Sequence, residues 1–390
     1  MKIALDGQPL LNQNKTGVAY YEDGLLKHLL KEYPQDEYGI DIFTKGRNQE
    51  KQKIVSDYSV KLKIQECNWF SGKLYRMFTL LLPLPYRWFF REERDITHFC
   101  NYVIPFGVRG KKVVTVHDLA FHEYPDTIRW RTMLMLKRNL RCSLKRADAV
   151  VTDSEFTRKE ILRYYNVPAE KLYVVPCGVD TNIYCRETDA GKLACVKRKY
   201  GISGAYFLYL GTLEPRKNLS GLIRAYKIFR ERVKDQKTEI PQMVIAGGKG
   251  WMYEQIFQTV KELSLEDKVI FTGYVDEEEK PILMGGALAF CFPSFYEGFG
   301  MPPIEAMACG TPVLTSNTSS LAEVTDEAAL QVDPYDLEEM AESLERLYND
   351  GGLRNELREK GWERAGKYSW QNAVEALHQT YESIMNLREQ

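Results

Sequence analysis

The sequence predicts an α/β fold divided into two domains. Three observations carry that expectation. At 390 residues the chain is long enough for two hydrophobic cores, or three. Its apolar runs are short, and most lead through a glycine or polar turn into a segment with apolar residues at helical spacing, the rhythm of alternating strand and helix. The composition, 44% hydrophobic and 27% charged, is that of a soluble globular protein.

The net charge is −1, but it is unevenly spread: residues 1–180 hold 29 Lys and Arg against 22 Asp and Glu, a net of +7, and the remainder holds 24 against 32, a net of −8. A basic first half and an acidic second half suggest different partners for the two. The eight cysteines form no C-x-x-C pair and no Cys/His metal spacing. Cys291 and Cys309 sit in apolar runs where a reduced, buried thiol is expected. The start MKIALDG turns polar too soon for a signal peptide, and no apolar run approaches the roughly 20 residues of a membrane span. A cytoplasmic chain is expected.

Lys2 to Leu5 reads as the first strand, followed by a loop through Thr16, Gly17 and Val18 and a helix with Tyr21, Leu25 and Leu29 on one face. Gly17, opening that helix, lets a phosphate approach the backbone or forms a plain turn. Residues 67–94 interleave Trp69, Phe70, Tyr75, Phe78, Tyr86, Trp88, Phe89 and Phe90 with Lys73, Arg76, Arg87, Arg91 and Arg94, and Pro83 and Pro85 break the run. Two readings stand: a surface resting on anionic lipid, or a helix packed on the core with its arginines in water. The cations Arg129, Arg131, Lys137, Arg138, Arg141, Lys145 and Arg146, with no acid among residues 127–146, tilt toward the first.

Lys112 to Val116 is a buried strand with His117 and Asp118 at its carboxyl end, where ligands gather in doubly wound sheets. His117 can hydrogen-bond a substrate hydroxyl or shuttle a proton, with Asp118 to orient it; His122 is the nearest rival. Ala147 to Thr152 is a strand, and Ser154 caps the helix after it. The boundary falls near residue 185, giving a first domain of residues 1–185 joined by a last helix over 371–390, and a second domain of 186–370.

In the second domain Ala205 to Leu210 is a strand, and Arg216 and Lys217 follow it just before a helix. Two cations at a strand-to-helix junction suit a diphosphate. Met243 to Ala246 ends in Gly247, and Val269 to Phe271 ends in Thr272-Gly273-Tyr274-Val275. Neither turn is a G-x-G-x-x-G fingerprint, so no dinucleotide cofactor is expected. The acidic run Asp276 to Glu279 reads as a solvated helix start.

Ser294 to Pro312, SFYEGFGMPPIEAMACGTP, follows a buried run over Ala287 to Phe292. Pro302 and Pro303 announce a helix from about Pro303 to Cys309, and Gly310 with Pro312 stops it. Free N–H groups at its start favour a phosphate or sugar hydroxyl. Glu297 can accept from sugar hydroxyls and Glu305 from a diol such as a ribose.

This string closely resembles the signature of retaining glycosyltransferases of the GT-B fold, the family-4 group that includes bacterial mannosyl- and glucosyltransferases. The resemblance extends to VVPCGVDTNIY over 174–184, GTLEPRKNLSGLIRAY after the strand at 205–210, and TSNTSSLAEV after the central motif. It implies two Rossmann-like doubly wound domains with a cleft between them and a terminal helix that returns to the first. By this likeness Glu297 contacts the transferred sugar, Glu305 holds the ribose, and Arg216 and Lys217 neutralise the diphosphate. His117 contacts the sugar, and Gly17 faces the donor phosphates. Gly298, Phe299, Gly300 and Met301 line the donor, with Gly300 and Met301 offering N–H groups to the sugar. Gly247, Tyr274 and Val275 seat the base.

The implied reaction is retaining hexosyl transfer, of mannose or glucose type, from a GDP- or UDP-linked sugar to a glycan or lipid-linked acceptor in cell-surface polysaccharide assembly. No Asp-x-Asp pair occurs in the chain, so no metal and no other cofactor is expected. Nor is a nucleic-acid partner. A peripheral place on the inner membrane face follows from the basic, aromatic first domain. An epimerase of the same fold and a non-catalytic nucleotide-sugar-binding subunit are the alternatives.

Overall fold

The computed structural model describes residues 1–11, 17–58, 62–81, 84–125, 130–186, 189–236 and 239–386. Thr16, Pro83 and Arg129 lie outside these, as do the side chains of Arg76 and Arg131. The chain divides into one unit of Met1–Gly178 with Trp370–Gln390 and a second of Val179–Ser369. Residues 179–185, expected in the first domain, fall in the second unit. In the structure Val179 pairs instead with Ser369, and its N–H donates to Tyr368 O.

Seven parallel strands build the first unit: β1 (Lys2–Asp6), β2 (Glu37–Phe43), β3 (Leu62–Cys67), β4 (Ile96–Phe99), β5 (Lys111–Val116), β6 (Ala149–Thr152) and β7 (Leu172–Val174), in the order β3-β2-β1-β4-β5-β6-β7. Six more build the second: β8 (Tyr206–Leu210), β9 (Gln242–Ala246), β10 (Val269–Gly273), β11 (Ala289–Phe292), β12 (Val313–Ser316) and β13 (Ala329–Val332), in the order β10-β9-β8-β11-β12-β13. Both orders reverse beside the unit's first strand, the doubly wound Rossmann arrangement. Strands covered by helices on both faces read as unbroken apolar runs. Accordingly all five residues of β8 and all four of β11 are buried.

The terminal helix, Trp370–Asn386, belongs to the first unit. Its Tyr381 hydroxyl bonds His98 Nδ1 at 2.7 Å, and His98 Nε2 bonds Thr115 Oγ1 at 2.8 Å, which ties the helix to β4 and β5. Burial pushes His98 down to about 3, so this ring is neutral.

The described residues of 67–94 divide between core and surface. Tyr75, Tyr86 and Phe90 are buried in a ring cluster with Phe43 and Phe99. Arg94 is also buried and pairs with Glu92 at 2.5 Å, so it does not face outward as the interface reading had it. Trp69 and Trp88 remain 60% and 57% exposed, and Lys73, Arg87 and Arg91 stand in the open beside them in sequence. The acidic run is not idle either: Asp276 and Glu279 both bind Lys199 Nζ, at 2.8 and 2.7 Å, and anchor the helix Ala190–Lys199.

Candidate active site

In the second unit the order reverses between β8 and β11, and the chain leaving each strand there carries charge. Beyond β8 come Glu214, Arg216 and Lys217; beyond β11 comes Glu297. Residues some eighty apart in sequence meet. Arg216 Nη1 donates to Glu297 Oε2 at 3.0 Å, and Lys217 Nζ donates to Glu297 Oε1 at 2.6 Å. Arg216 Nη2 reaches Glu214 Oε1 at 2.8 Å, and Glu214 Oε2 accepts from Trp251 Nε1 at 3.3 Å. Lys217 Nζ also lies 5.2 Å from the centroid of the Phe292 ring.

Glu297 is 7% exposed. Burial opposes its charge, but Arg216 and Lys217 hold its carboxyl down to about 2. Lys217 shifts downward through burial and the neighbouring guanidinium, against the pull of Glu297. The result is a compact cationic pair that shares Glu297, with Glu214 as a second partner of Arg216, at the carboxyl edge of a parallel sheet. Such a pair can stabilise a diphosphate, and a carboxylate beside it can accept from sugar hydroxyls.

The turn bearing Glu297 is held by residues the sequence reading passed over. Glu297 N–H donates to Ser319 Oγ at 3.0 Å, and Ser320 Oγ donates to Glu297 O at 2.8 Å and Phe299 O at 3.0 Å. Gly300 precedes the helix Met301–Ala308 with φ 99°, and a Cβ there would stand 2.5 Å from Leu321 Cδ2. Only glycine meets both demands. Phe299 is buried, with Tyr368 edge-on at 5.4 Å. Gly298 and Met301 complete the turn on either side of that pair.

Glu305 heads a second group. Its carboxyl is pushed up to about 7 by burial, only partly offset by Lys280 and by a hydrogen bond from Tyr184. Lys280 Nζ binds Glu277 Oε1 at 2.6 Å, and Glu277 Oε1 accepts from Tyr274 OH at 2.9 Å. Glu305 and the exposed Tyr274 are thus joined through Lys280 and Glu277; Val275, the next residue, is buried. Gly247 has φ 138°, and a Cβ there would meet Gly211 O at 1.9 Å. Its N–H already donates to Gly273 O at 2.8 Å, so this glycine contributes clearance rather than a free donor.

His117 belongs to the first unit, at the end of β5. Its Nδ1 lies 2.6 Å from Asp153 Oδ2, and Nε2 donates to Cys100 O at 2.8 Å. Burial works against the imidazolium, but Asp153 and the Cys100 carbonyl outweigh it and raise the ring's pKa. Asp118 is not the orienting acid: its Oδ1 accepts from Ala120 N–H at 3.1 Å. Both ring nitrogens of His117 therefore face protein acceptors. The register Val116↔Thr152 explains why: His117 and Asp153 each follow directly on paired ends of β5 and β6. His122 bonds Tyr165 OH through Nε2 at 2.8 Å and stacks on Tyr164 at 4.2 Å, and burial moves it down to about 4. Gly17 begins the helix Gly17–Glu32 in the same unit, with open space where its Cβ would be.

Two parallel doubly wound units, the second with paired cations and a carboxylate at its switch point, define the class. Residues 25–183 match the family Glycosyltransferase Family 4, and residues 197–364 match Glycosyl transferases group 1. The O-antigen chain mannosyltransferase B of Escherichia coli is 32% identical over 313 residues, 80% of this chain and 80% of that protein. The O-antigen chain mannosyltransferase RfbU of Salmonella typhimurium is 30% identical over 306 residues, 76% of this chain and 78% of the other. The chain belongs to this glycosyltransferase family.

Solved structures agree on the fold. Sucrose-phosphate synthase from Thermosynechococcus elongatus superposes with a TM-score of 0.75 at 20% identity, covering 99% of both chains. Anabaena HepE in complex with UDP and glucose gives 0.73 at 18% identity, covering 98% of this chain and 100% of that one.

Proposed function

We propose that this protein transfers a hexosyl group from a nucleoside diphosphate sugar to a hydroxyl of a glycan or lipid-linked acceptor, with retention at the anomeric carbon. The reading rests on Arg216 and Lys217 sharing Glu297 at the switch point of the second unit. Such a transfer must stabilise a departing diphosphate and a sugar with oxocarbenium character. Arg216 and Lys217 meet the first need, and Glu297 fixes the sugar through its hydroxyls. Glu305 takes the ribose diol, and the turn at Tyr274 and Val275 takes the base, either guanine or uracil. With two fixed cations at the diphosphate, the reaction needs no metal ion, and turnover is expected to survive EDTA.

Mannose is the favoured sugar, because the relatives that match over most of their length are named as O-antigen mannosyltransferases. The matching pathway is cell-surface polysaccharide assembly. Trp69, Trp88 and the exposed Leu134, among basic neighbours, support contact of the first unit with an anionic membrane on its cytoplasmic side. No described helix is long and apolar enough to cross a membrane.

Incubating the protein with GDP-mannose or UDP-glucose tests the reaction, with and without a mannosylated acceptor. Acceptor-dependent nucleotide release and an α-linked product by NMR are expected. An epimerised sugar formed from donor alone would overturn the transferase reading.

A further inference from the structure

We infer that the first unit holds the phosphate of a sugar-phosphate acceptor in a cationic cavity at the carboxyl ends of β1, β2 and β3. This deepens the transferase reading, on which it rests, by giving the acceptor a chemical class and a place.

The cavity has a volume of about 260 Å³ and is lined by Gln8, Lys45, Arg47, Ser71 and Lys73 among others, with no carboxylate in its lining. Gln8 follows β1, Lys45 and Arg47 follow β2, and Ser71 and Lys73 follow β3. All three strands are parallel, so these residues gather at the one sheet edge where ligands bind. A neighbouring cation is neutralised: Lys51 pairs with Glu66, near the end of β3, at 2.5 Å. Lys45 and Lys73 have no acidic partner among the described residues, and the Arg47 guanidinium reaches Leu11 O at 3.5 Å.

Lys73 is the second residue of the helix Gly72–Leu81. A cation in a helix's first turn opposes the dipole, and an anion set between that lysine and the free N–H groups relieves the conflict. Gln8 adds a donor. Its Oε1 is taken by Phe43 N–H at 3.2 Å, which leaves the amide NH₂ without a partner among the described residues.

A second cavity, of about 150 Å³, shares Gln8, Phe43 and Gly72 with the first. Its lining includes Asp6, Asn101, Tyr75, Tyr86 and Tyr102. Ring faces beside a carboxylate and an amide suit a hexose, whose C–H face packs on aromatics while its hydroxyls need acceptors and donors. The two cavities together fit a sugar ester with its phosphate at the cationic end and its ring among the tyrosines.

Calorimetric titration of the full chain with mannosyl farnesyl diphosphate, and separately with methyl mannoside, tests the assignment on wild type and on Lys45→Gln/Lys73→Gln. The phosphate-bearing probe is expected to bind wild type at least about tenfold more tightly than the methyl glycoside, and the double variant to lose about that factor, as removal of charge-assisted hydrogen bonds requires. Lys45→Arg/Lys73→Arg, which keeps the charge, is expected to retain the affinity. Equal affinity of wild type and the glutamine variant for the phosphate-bearing probe would overturn the assignment, as would equal binding of the two probes. Nucleoside diphosphate affinity depends on the second unit and reports separately: its absence in wild type, with the phosphate-bearing probe still bound, refutes the transferase reading and not the cavity.

Discussion

Glu297 gives the site its particular character, because one carboxylate neutralises two cations that the proposed reaction assigns to a diphosphate. Arg216→Ala or Lys217→Ala is expected to cost on the order of 10²-fold or more in turnover, as for other preorganised charge stabilisers, measured as nucleotide release from the sugar donor. Glu297→Gln leaves Lys217 without a carboxylate partner among the described residues and Arg216 with Glu214 as its one carboxylate partner there. Ligand-free stability should fall by about 3 kcal/mol, and a nucleoside diphosphate should raise the melting temperature of this variant more than that of wild type. A smaller ligand-induced rise in the variant would count against the shared-counter-ion account. Glu305 brings a pH dependence. Its folded value of about 7 lies above the ordinary 4.5, so the neutral carboxyl favours the fold, and that contribution is lost as pH rises through 7. A ribose diol needs the charged form, so nucleotide affinity should rise over the same window, by close to tenfold between pH 6 and 8. Glu305→Gln should flatten that profile, and Glu305→Ala should weaken nucleotide binding by roughly 1.5–3 kcal/mol. An unchanged calorimetric affinity in the alanine variant would remove Glu305 from the ribose. At this scale the sequence was most readable where like residues cluster: Arg216 and Lys217 are adjacent, and the two acids sit in one motif. Asp153 was not readable as the partner of His117. Their pairing depends on β5 lying beside β6, which no local pattern in the chain announces.

Among the elements, β5, β8, β9 and β11 were legible because a parallel sheet leaves no polar face, whereas β2, β4 and β12, no less buried, are too short or too mixed with polar residues to stand out in the sequence. The helix after Glu297 was legible from its prolines, though it begins at Met301 rather than Pro303. What could not be read is how its turn is fixed. Ser319 and Ser320 look like ordinary helix-start residues, and their hold on Glu297 and Phe299 arises only once β11 and β12 are paired. The same turn yields a stability prediction. Gly300→Ala places a side chain at a positive φ and against Leu321, so unfolding should become easier by about 1–3 kcal/mol, read by denaturant titration. A change below half a kilocalorie would mean that the turn relaxes freely, contrary to its pinning. The aromatic stretch 67–94 shows the opposite case. Its composition fitted both an interface and a core, and packing divided it: Tyr75, Tyr86 and Phe90 went inward, whereas Trp69 and Trp88 stayed out.

For the whole molecule the charge division is the leading feature, +7 over residues 1–180 against −8 over the remainder. An anionic bilayer should attract the first and repel the second. The chain is therefore expected to co-sediment with phosphatidylglycerol vesicles at low salt, to release as salt shortens the Debye length, and to bind less well as Trp69→Ser/Trp88→Ser. Failure to co-sediment at low salt would refute the membrane contact. Length and strand–helix rhythm foretold two domains, and the family motifs foretold their Rossmann form. The acceptor remained hidden, because Gln8, Lys45 and Lys73 are ordinary residues until three strand ends bring them together. The central claim is that paired cations beside Glu297 hold a nucleoside diphosphate. Its most direct test is calorimetric titration of GDP and UDP into wild type and Lys217→Ala. The account predicts that at least one of the two binds wild type and loses about tenfold or more in affinity when Lys217 is removed. Binding of neither, or equal binding to both proteins, would contradict it.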